Sequence, residues 1–322
     1  MTGNSLHWVP VLCAGAISLL GSTALAAGDT DDPRVSIEPR IHAGVRGDIH
    51  VDSNLVLLPV NVTDRSNRLV TGLDAGEFRV FDGSREQQIL QLSKDDAPLS
   101  CGVVFDSSAS MARKLSKARE AVAEFLKGAN PEDEFFLVNF NDQAELAAPF
   151  TQNAGDIQGR LAFTSAHGKT ALLDAIYLAL HYMKNAQHSR RALLVISDGG
   201  DNDSRYTQSE LKKVLQESNV WIYAVGIYAP GSPILPEEER GGPKLLIEMA
   251  ENTGGRHLAV YDAGELPEAA AQLGLELRNQ YVLAYSPTNV ERDGKYHHVQ
   301  VKLVGRRNLQ VTWRPGYWAP ME

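Results

Sequence analysis

Between Leu99 and Gln280 the chain alternates short apolar runs with segments whose apolar residues recur at helical spacing. Gly102 to Phe105 is a buried-strand pattern that ends in Asp106, and Leu115, Ala118, Val122 and Phe125 follow as one helix face. Phe135 to Phe140 and Ala144 to Phe150 read as two strands around the hairpin-like gap Asn141-Asp142-Gln143. Leu172, Ile176, Leu180 and Met183 mark the next helix, and Ala192 to Ile196 a strand running into Ser197-Asp198-Gly199-Gly200. Helix at Ser209 to Glu217, strand at Val220 to Ile227, helix at Lys244 to Glu251, strand at Arg256 to Val260 and helix at Glu265 to Asn279 complete the series. A chain that alternates in this way buries both faces of its strands. That demands an α/β domain with a mostly parallel central sheet flanked by helices. At 43% hydrophobic and 22% charged residues, the chain has enough apolar surface to bury such a core without disulfides.

The flanks follow another pattern. Leu55 to Val62 is strand-like, and Phe78 to Phe81 and Gln88 to Leu92 read as a hairpin around Asp82-Gly83. After Gln280 come the strand patterns Tyr281 to Tyr285, Val299 to Val304 and Leu309 to Trp313, with a turn at Arg292-Asp293-Gly294. Neither flank shows a convincing helix, and neither has strands enough for a stable sheet pair alone. The expected organisation is therefore an N-terminal β segment (35–98), the α/β domain (99–280) and a C-terminal β segment (281–322). The two β segments would build one β-sandwich from the N- and C-terminal flanks, with the α/β domain inserted between them.

Residues 1–26 read as a signal peptide. Val9 to Leu20 is apolar but too short to cross a bilayer, and Ala24-Leu25-Ala26 is a small-x-small cleavage pattern. The n-region from Met1 to Trp8 is atypical in having no Lys or Arg. An exported protein, periplasmic or secreted, is expected, with no membrane span after signal removal. Cys13 falls in the signal, so Cys101 stands alone in the remaining chain and reads as a buried apolar residue. A net charge of -9 argues against nucleic acid as a partner.

Ligands of open α/β sheets bind beyond the carboxyl ends of the strands. Three polar clusters stand at such places: Asp106-Ser107-Ser108-Ala109-Ser110, Gly168-Lys169-Thr170 and Asp198-Gly199-Gly200. Their carboxylates and hydroxyls are oxygen donors, suited to Mg²⁺, Mn²⁺ or Ca²⁺. No His or Cys accompanies them in these clusters, which argues against zinc. The rival reading is that Asp106 and the serines only cap the following helix.

The pattern Asp-x-Ser-x-Ser at 106–110, with a distant Thr170 and Asp198, resembles the metal-ion-dependent adhesion site (MIDAS) of von Willebrand factor type A (VWA) domains. The resemblance spans about Leu99 to Gln280 and implies a Rossmann-like α/β fold. It implies hydroxyl ligands from Ser108, Ser110 and Thr170, with Asp106 and Asp198 binding the metal directly or through water. Ala109 stands where many members have Gly, a change that should remove no ligand. Val60-Asn61-Val62-Thr63-Asp64, Glu77-Phe78-Arg79-Val80, Gln280-Tyr281-Val282-Leu283-Ala284-Tyr285 and Arg314-Pro315-Gly316-Tyr317 resemble the flanks of the bacterial "VWFA-related" family first described in acidobacteria. The expected function is adhesion without catalysis. A site rich in neutral hydroxyls leaves an octahedral cation only partly neutralised, and an Asp or Glu carboxylate of a partner protein completes its shell.

Other motifs point elsewhere less well. Gly168-Lys169-Thr170 ends like a phosphate-binding loop, but Phe163 occupies the place of the first Gly, so no nucleotide is expected. His297-His298 reads as surface, and Asp201, Asn202 and Asp203 as a solvated turn ahead of a second cation site. Asn61-Val62-Thr63 and Asn202-Asp203-Ser204 match a glycosylation sequon that a bacterial chain would not use. A metal-assisted hydrolase would need a general base near the metal, and a structural envelope subunit would carry the same loops as a vestige. The loop from Tyr228 to Pro243, with Glu237-Glu238-Glu239-Arg240, is expected on the metal face as a selector of partners.

Overall fold

The computed structural model describes residues 55–94, 97–228, 242–288, 293–306 and 308–319. The signal-peptide reading and residues 229–241 of the expected selector loop lie outside them.

The α/β domain is built on six strands: β5 (Leu99–Asp106), β6 (Glu134–Phe140), β7 (Ala144–Thr151), β8 (Arg190–Ser197), β9 (Trp221–Ile227) and β10 (His257–Val260). Their order is β10-β9-β8-β5-β6-β7, with every pair parallel except the β6–β7 hairpin. Residues of β5, β6 and β9 are buried along their whole length, as expected of strands covered on both faces. Within β5 the side chains still alternate. Cys101, Val103 and Phe105 join one apolar layer with helices α1 (Leu115–Lys127), α2 (Ala154–Ala162) and α6 (Leu266–Arg278). Val104 joins the other, with α3 (Leu172–Tyr182), α4 (Gln208–Glu217) and α5 (Gly242–Thr253). Gly102 allows this close packing, since a Cβ there would meet the Phe136 ring at 2.2 Å. The Cys101 thiol is fully buried, and desolvation pushes its pKa up to about 12, which leaves it unreactive.

The α2 helix has no counterpart in the sequence reading. Its apolar signal is only Ile157 and Leu161, and Gly155 and Gly159 dilute its propensity. The cap is the legible part: the Asn153 side chain accepts a hydrogen bond from Gly155 N at 3.0 Å. The α5 helix starts at Gly242, so Gly242 and Pro243 belong to a helical turn and not to the loop before it.

The remaining strands form two antiparallel four-stranded sheets. One runs β13 (Leu309–Trp313), β1 (Val56–Asp64), β11 (Tyr281–Tyr285), β4 (Ile89–Lys94). The other runs β14 (Gly316–Trp318), β12 (Tyr296–Leu303), β2 (Phe78–Asp82), β3 (Arg85–Gln87). Each mixes strands from both flanks of the chain. Val60, Val62, Leu283 and Tyr285 of the first share one apolar cluster with Phe78, Val80, Val299 and Val301 of the second. The hairpin expected between Phe78–Phe81 and Gln88–Leu92 is corrected here. β2 pairs instead with the three-residue β3, from Val80↔Gln87 to Asp82↔Arg85. The chain then crosses to the opposite sheet, where β4 pairs with β11. Ile89 and Leu92 reach the inter-sheet core from that side, which a simple hairpin would not permit.

Candidate metal centre and binding face

The β5, β8 and β9 strands run side by side, and the turns that follow β5 and β8 are tied together at their start. Asp106, the last residue of β5, is fully buried. Its Oδ1 accepts from the Ser108 amide at 2.9 Å, and its Oδ2 accepts from the Ser197 hydroxyl at 2.6 Å. Ser197 in turn accepts from Gly199 N at 2.9 Å, so one hydroxyl ties the ends of β5 and β8 together. Burial, and then the neighbouring Asp198 charge, push the Asp106 pKa up to about 7.

The turn after β5 brings Ser108 and Ser110 together, with hydroxyl oxygens 3.0 Å apart. The second loop reaches them through Ala109 N, which donates to Gly168 O at 3.1 Å. Asn202 clamps Thr170. Its side-chain oxygen accepts from Thr170 N at 2.9 Å, and its own amide donates to Thr170 O at 2.9 Å. Gly199 has a φ of +79°, and a Cβ there would lie 2.6 Å from the Gly242 backbone, so the Asp198 loop rests against the start of α5. The Asp198 Oδ2 accepts from Lys114 Nζ at 3.1 Å.

A cavity of about 170 Å³ lies where the loops meet, lined by Ser110, Lys169, Thr170, Asp198, Gly200 and Asn202. Of the five residues read as metal ligands, Ser110, Thr170 and Asp198 line it directly. Ser108 stands outside its lining but bonds to Ser110, and Asp106 lies one step further back, bonded to Ser108 N and Ser197. The donor chemistry fits a hard divalent cation. Two carboxylates, one wholly buried, are close enough to raise the proton affinity of Asp106, and neutral hydroxyls surround them. Among the described residues no group of three or more His, Cys, Asp or Glu side chains is gathered as a metal cluster.

Lys114 escaped the sequence reading, which took Ser197 only as the end of a strand and Asn202 as part of a solvated turn. Ser197 was legible as the neighbour of Asp198. Lys114 carries no motif and Asn202 none that points to this site, and only folding brings them there. Asp201, Asn202 and Asp203, read as a solvated turn, stay partly or fully exposed and also brace the site loops. Asp201 Oδ1 accepts from Ser204 Oγ at 2.5 Å and Leu173 N at 3.3 Å, and Asp203 pairs with Lys169 at 2.8 Å. His167 directly precedes Gly168, but both ring nitrogens are engaged, with Asn141 Nδ2 at 3.1 Å and Ser165 O at 3.1 Å. A wider cleft of about 830 Å³ adjoins the site, lined by Ser107, Asn139, Asn141, Asp142, Phe163 and His167 among others.

Residues 103–200 match the sequence profile of the von Willebrand factor type A domain. An uncharacterized protein of Borreliella burgdorferi is 24% identical over 183 residues, 52% of this chain and 52% of that protein. The inter-alpha-trypsin inhibitor heavy chain H4 of Bos taurus is 24% identical over 160 residues, 44% of this chain and 18% of that protein. The aligned part thus spans about half the length of the first relative and less of the second. Among solved structures, a von Willebrand factor type A protein of Catenulispora acidiphila superposes with a TM-score of 0.49 at 13% identity, covering 84% of this chain and 75% of that one. The profile match covers β5 through the Asp198 loop, the segment that carries all three polar clusters, and this chain accordingly contains a von Willebrand factor type A domain.

Proposed function

We propose that the protein is an exported, non-enzymatic binding module. Its α/β domain would hold Mg²⁺, Mn²⁺ or Ca²⁺ and use it to engage an Asp or Glu carboxylate of a partner protein. Ser108, Ser110 and Thr170 would offer hydroxyl oxygens, and Asp106 and Asp198 carboxylates, directly or through water. The observation that carries this reading is the meeting of two carboxylates, one fully buried, with a pair of hydroxyls 3.0 Å apart at neighbouring strand ends. Buried carboxylates in such proximity gain from a cation that neutralises both. When bound, the cation would supply a Lewis-acidic point for an anionic oxygen. The protein's own residues orient the site. Ser197 and the Ser108 amide hold Asp106, and Asn202 holds Thr170. With both nitrogens of His167 engaged, the site loops offer no free histidine base, which favours binding over hydrolysis.

No helix among the described residues is long and apolar enough to cross a membrane. Titration with Mn²⁺, read by calorimetry and by the free-ion spin-resonance signal, tests the proposal. The protein should bind one Mn²⁺ and Asp106→Ala none, with cooperative unfolding retained. Unchanged Mn²⁺ affinity in Asp106→Ala would refute the assignment. A second reading, a structural subunit whose site no longer takes metal, is favoured by the Lys114 ammonium on Asp198. Native protein that ignores Mn²⁺ and captures its partner equally well in EDTA would decide for it.

A further inference from the structure

We propose that Lys114 sets the charge of the cation site, so that the loaded site stays net positive and draws in one carboxylate. The inference rests on the function proposed above. Lys114 is the residue just before α1, and its side chain returns to the site that the preceding turn builds. Its ammonium donates to Asp198 Oδ2 at 3.1 Å and to Ile227 O at 3.4 Å. The Lys114 and Asp198 side chains are only 22% and 12% exposed, so water screens the pair little.

Among the described residues, two other acidic groups near the cavity pair with cations of their own. Asp203 pairs with Lys169, and Asp174 with Arg205 at 3.0 Å. Asp201 lines the cavity and is bonded to the Ser204 hydroxyl and to Leu173 N at the start of α3, where the helix dipole offsets part of its charge. Of the carboxylates read as metal ligands, Asp106 and Asp198 remain, with Lys114 on Asp198. Two carboxylates and one ammonium sum to a single negative charge. A divalent cation reverses this to a single positive charge, which one partner carboxylate cancels. If Lys114 were neutral, the same cation would be balanced by Asp106 and Asp198 alone, and nothing would be left over to attract an acidic partner. Lys114 therefore weakens the hold on the metal and strengthens the loaded site's demand for a carboxylate. These two effects have opposite signs, and a lysine that merely braced the loop would not produce both.

The test is Mn²⁺ titration at pH 8, with and without acetate as the carboxylate probe, on the native protein, Lys114→Met and Lys114→Arg. Lys114→Met should bind Mn²⁺ about tenfold tighter or better, since a like charge is removed. Acetate should tighten Mn²⁺ binding in the native protein and in Lys114→Arg, and lose that effect in Lys114→Met. If Lys114→Met fails to unfold cooperatively, Lys114→Gln takes its place with the same expectations. Native binding of Mn²⁺ with no gain in Lys114→Met, or an acetate effect that survives there, overturns the role of Lys114 and leaves the metal site standing. Binding by Lys114→Met but not by the native protein supports the charge role and removes the native site as a metal centre. Failure of both proteins to bind overturns both.

Discussion

At the carboxyl end of the central sheet, Asp106 and Asp198 lie near each other, and one ammonium, that of Lys114, pairs with Asp198. At the amino end, Asp133 meets Arg278 and Glu276 meets Arg256. Both ends bury polar groups against the same apolar layers, yet only the amino end is charge-balanced from within. It is also the end that joins the two-sheet unit. The Tyr223 hydroxyl accepts from Asn61 Nδ2 of β1 at 3.0 Å and from Gln280 Nε2 at 2.9 Å, and Gln272 of α6 donates to Asn67 O. Arg190 donates to Ala97 O at 2.8 Å and to Leu277 O. The comparison teaches that burial of charge serves two purposes here. One end spends its charges on holding the sheets together, and the other holds two carboxylates against one ammonium, as the proposed cation site requires.

The strongest test of that contrast is Arg256→Ala. It would leave the fully buried Glu276 without its cation, at a cost of about 3–5 kcal/mol. Urea unfolding should show the loss as a lower midpoint with an unchanged slope. Tyr223→Phe comes next. It strips the shared acceptor from two buried amide donors, and the same measurement should show a loss of about 1–3 kcal/mol. Native-like stability in either variant would mean that the amino end is not the clamp between the two parts.

A smaller effect is expected from pH. His257, on the edge strand β10, is half-buried and bonded to the Tyr228 hydroxyl at 2.9 Å, and burial lowers its pKa from 6.5 to about 4. Between those values the unfolded imidazole binds a proton that the folded one refuses. Stability therefore falls as pH drops from about 6.5 toward 4, and rises again with pH. Thermal melts across this window should show a shallower slope in His257→Gln; an identical slope would exclude His257 as its source. Smallest of all should be Asp198→Asn. It loses the Lys114 pair but also relieves the repulsion on buried Asp106, so its unfolding free energy should stay within about 1 kcal/mol of native. A loss as large as that of Arg256→Ala would erase the distinction between the two ends.

Much of this was legible in the amino-acid order. Uniform apolar runs of the β5 and β9 kind can only be covered on both faces, so the alternation with amphipathic helices already determines the parallel sheet. The last helix shows its apolar stripe as plainly: Leu266, Ala270, Leu273 and Leu277 are all buried. The α2 helix was not legible, because two glycines and a short apolar signal leave its formation to the sheet it packs on. Nor was the crossing of β4 to the other sheet, since period-two patterning sets which face a strand presents but not which neighbour it pairs with.

The same division runs through the candidate site. Sequence by itself determined that Asp106, Ser108, Ser110 and Asp198 stand at or just past strand ends and Thr170 just before a helix, because each is flanked by its own strand or helix pattern. Only the tertiary structure decided that Ser110, Thr170 and Asp198 line one cavity while Asp106 lies buried behind them under Ser197. Only it brought Lys114 to Asp198, across 84 residues of chain. The physical reason is that local pattern reports burial and propensity over a few residues. The charge of a site is a sum over whatever side chains the packed sheet carries to one point in space.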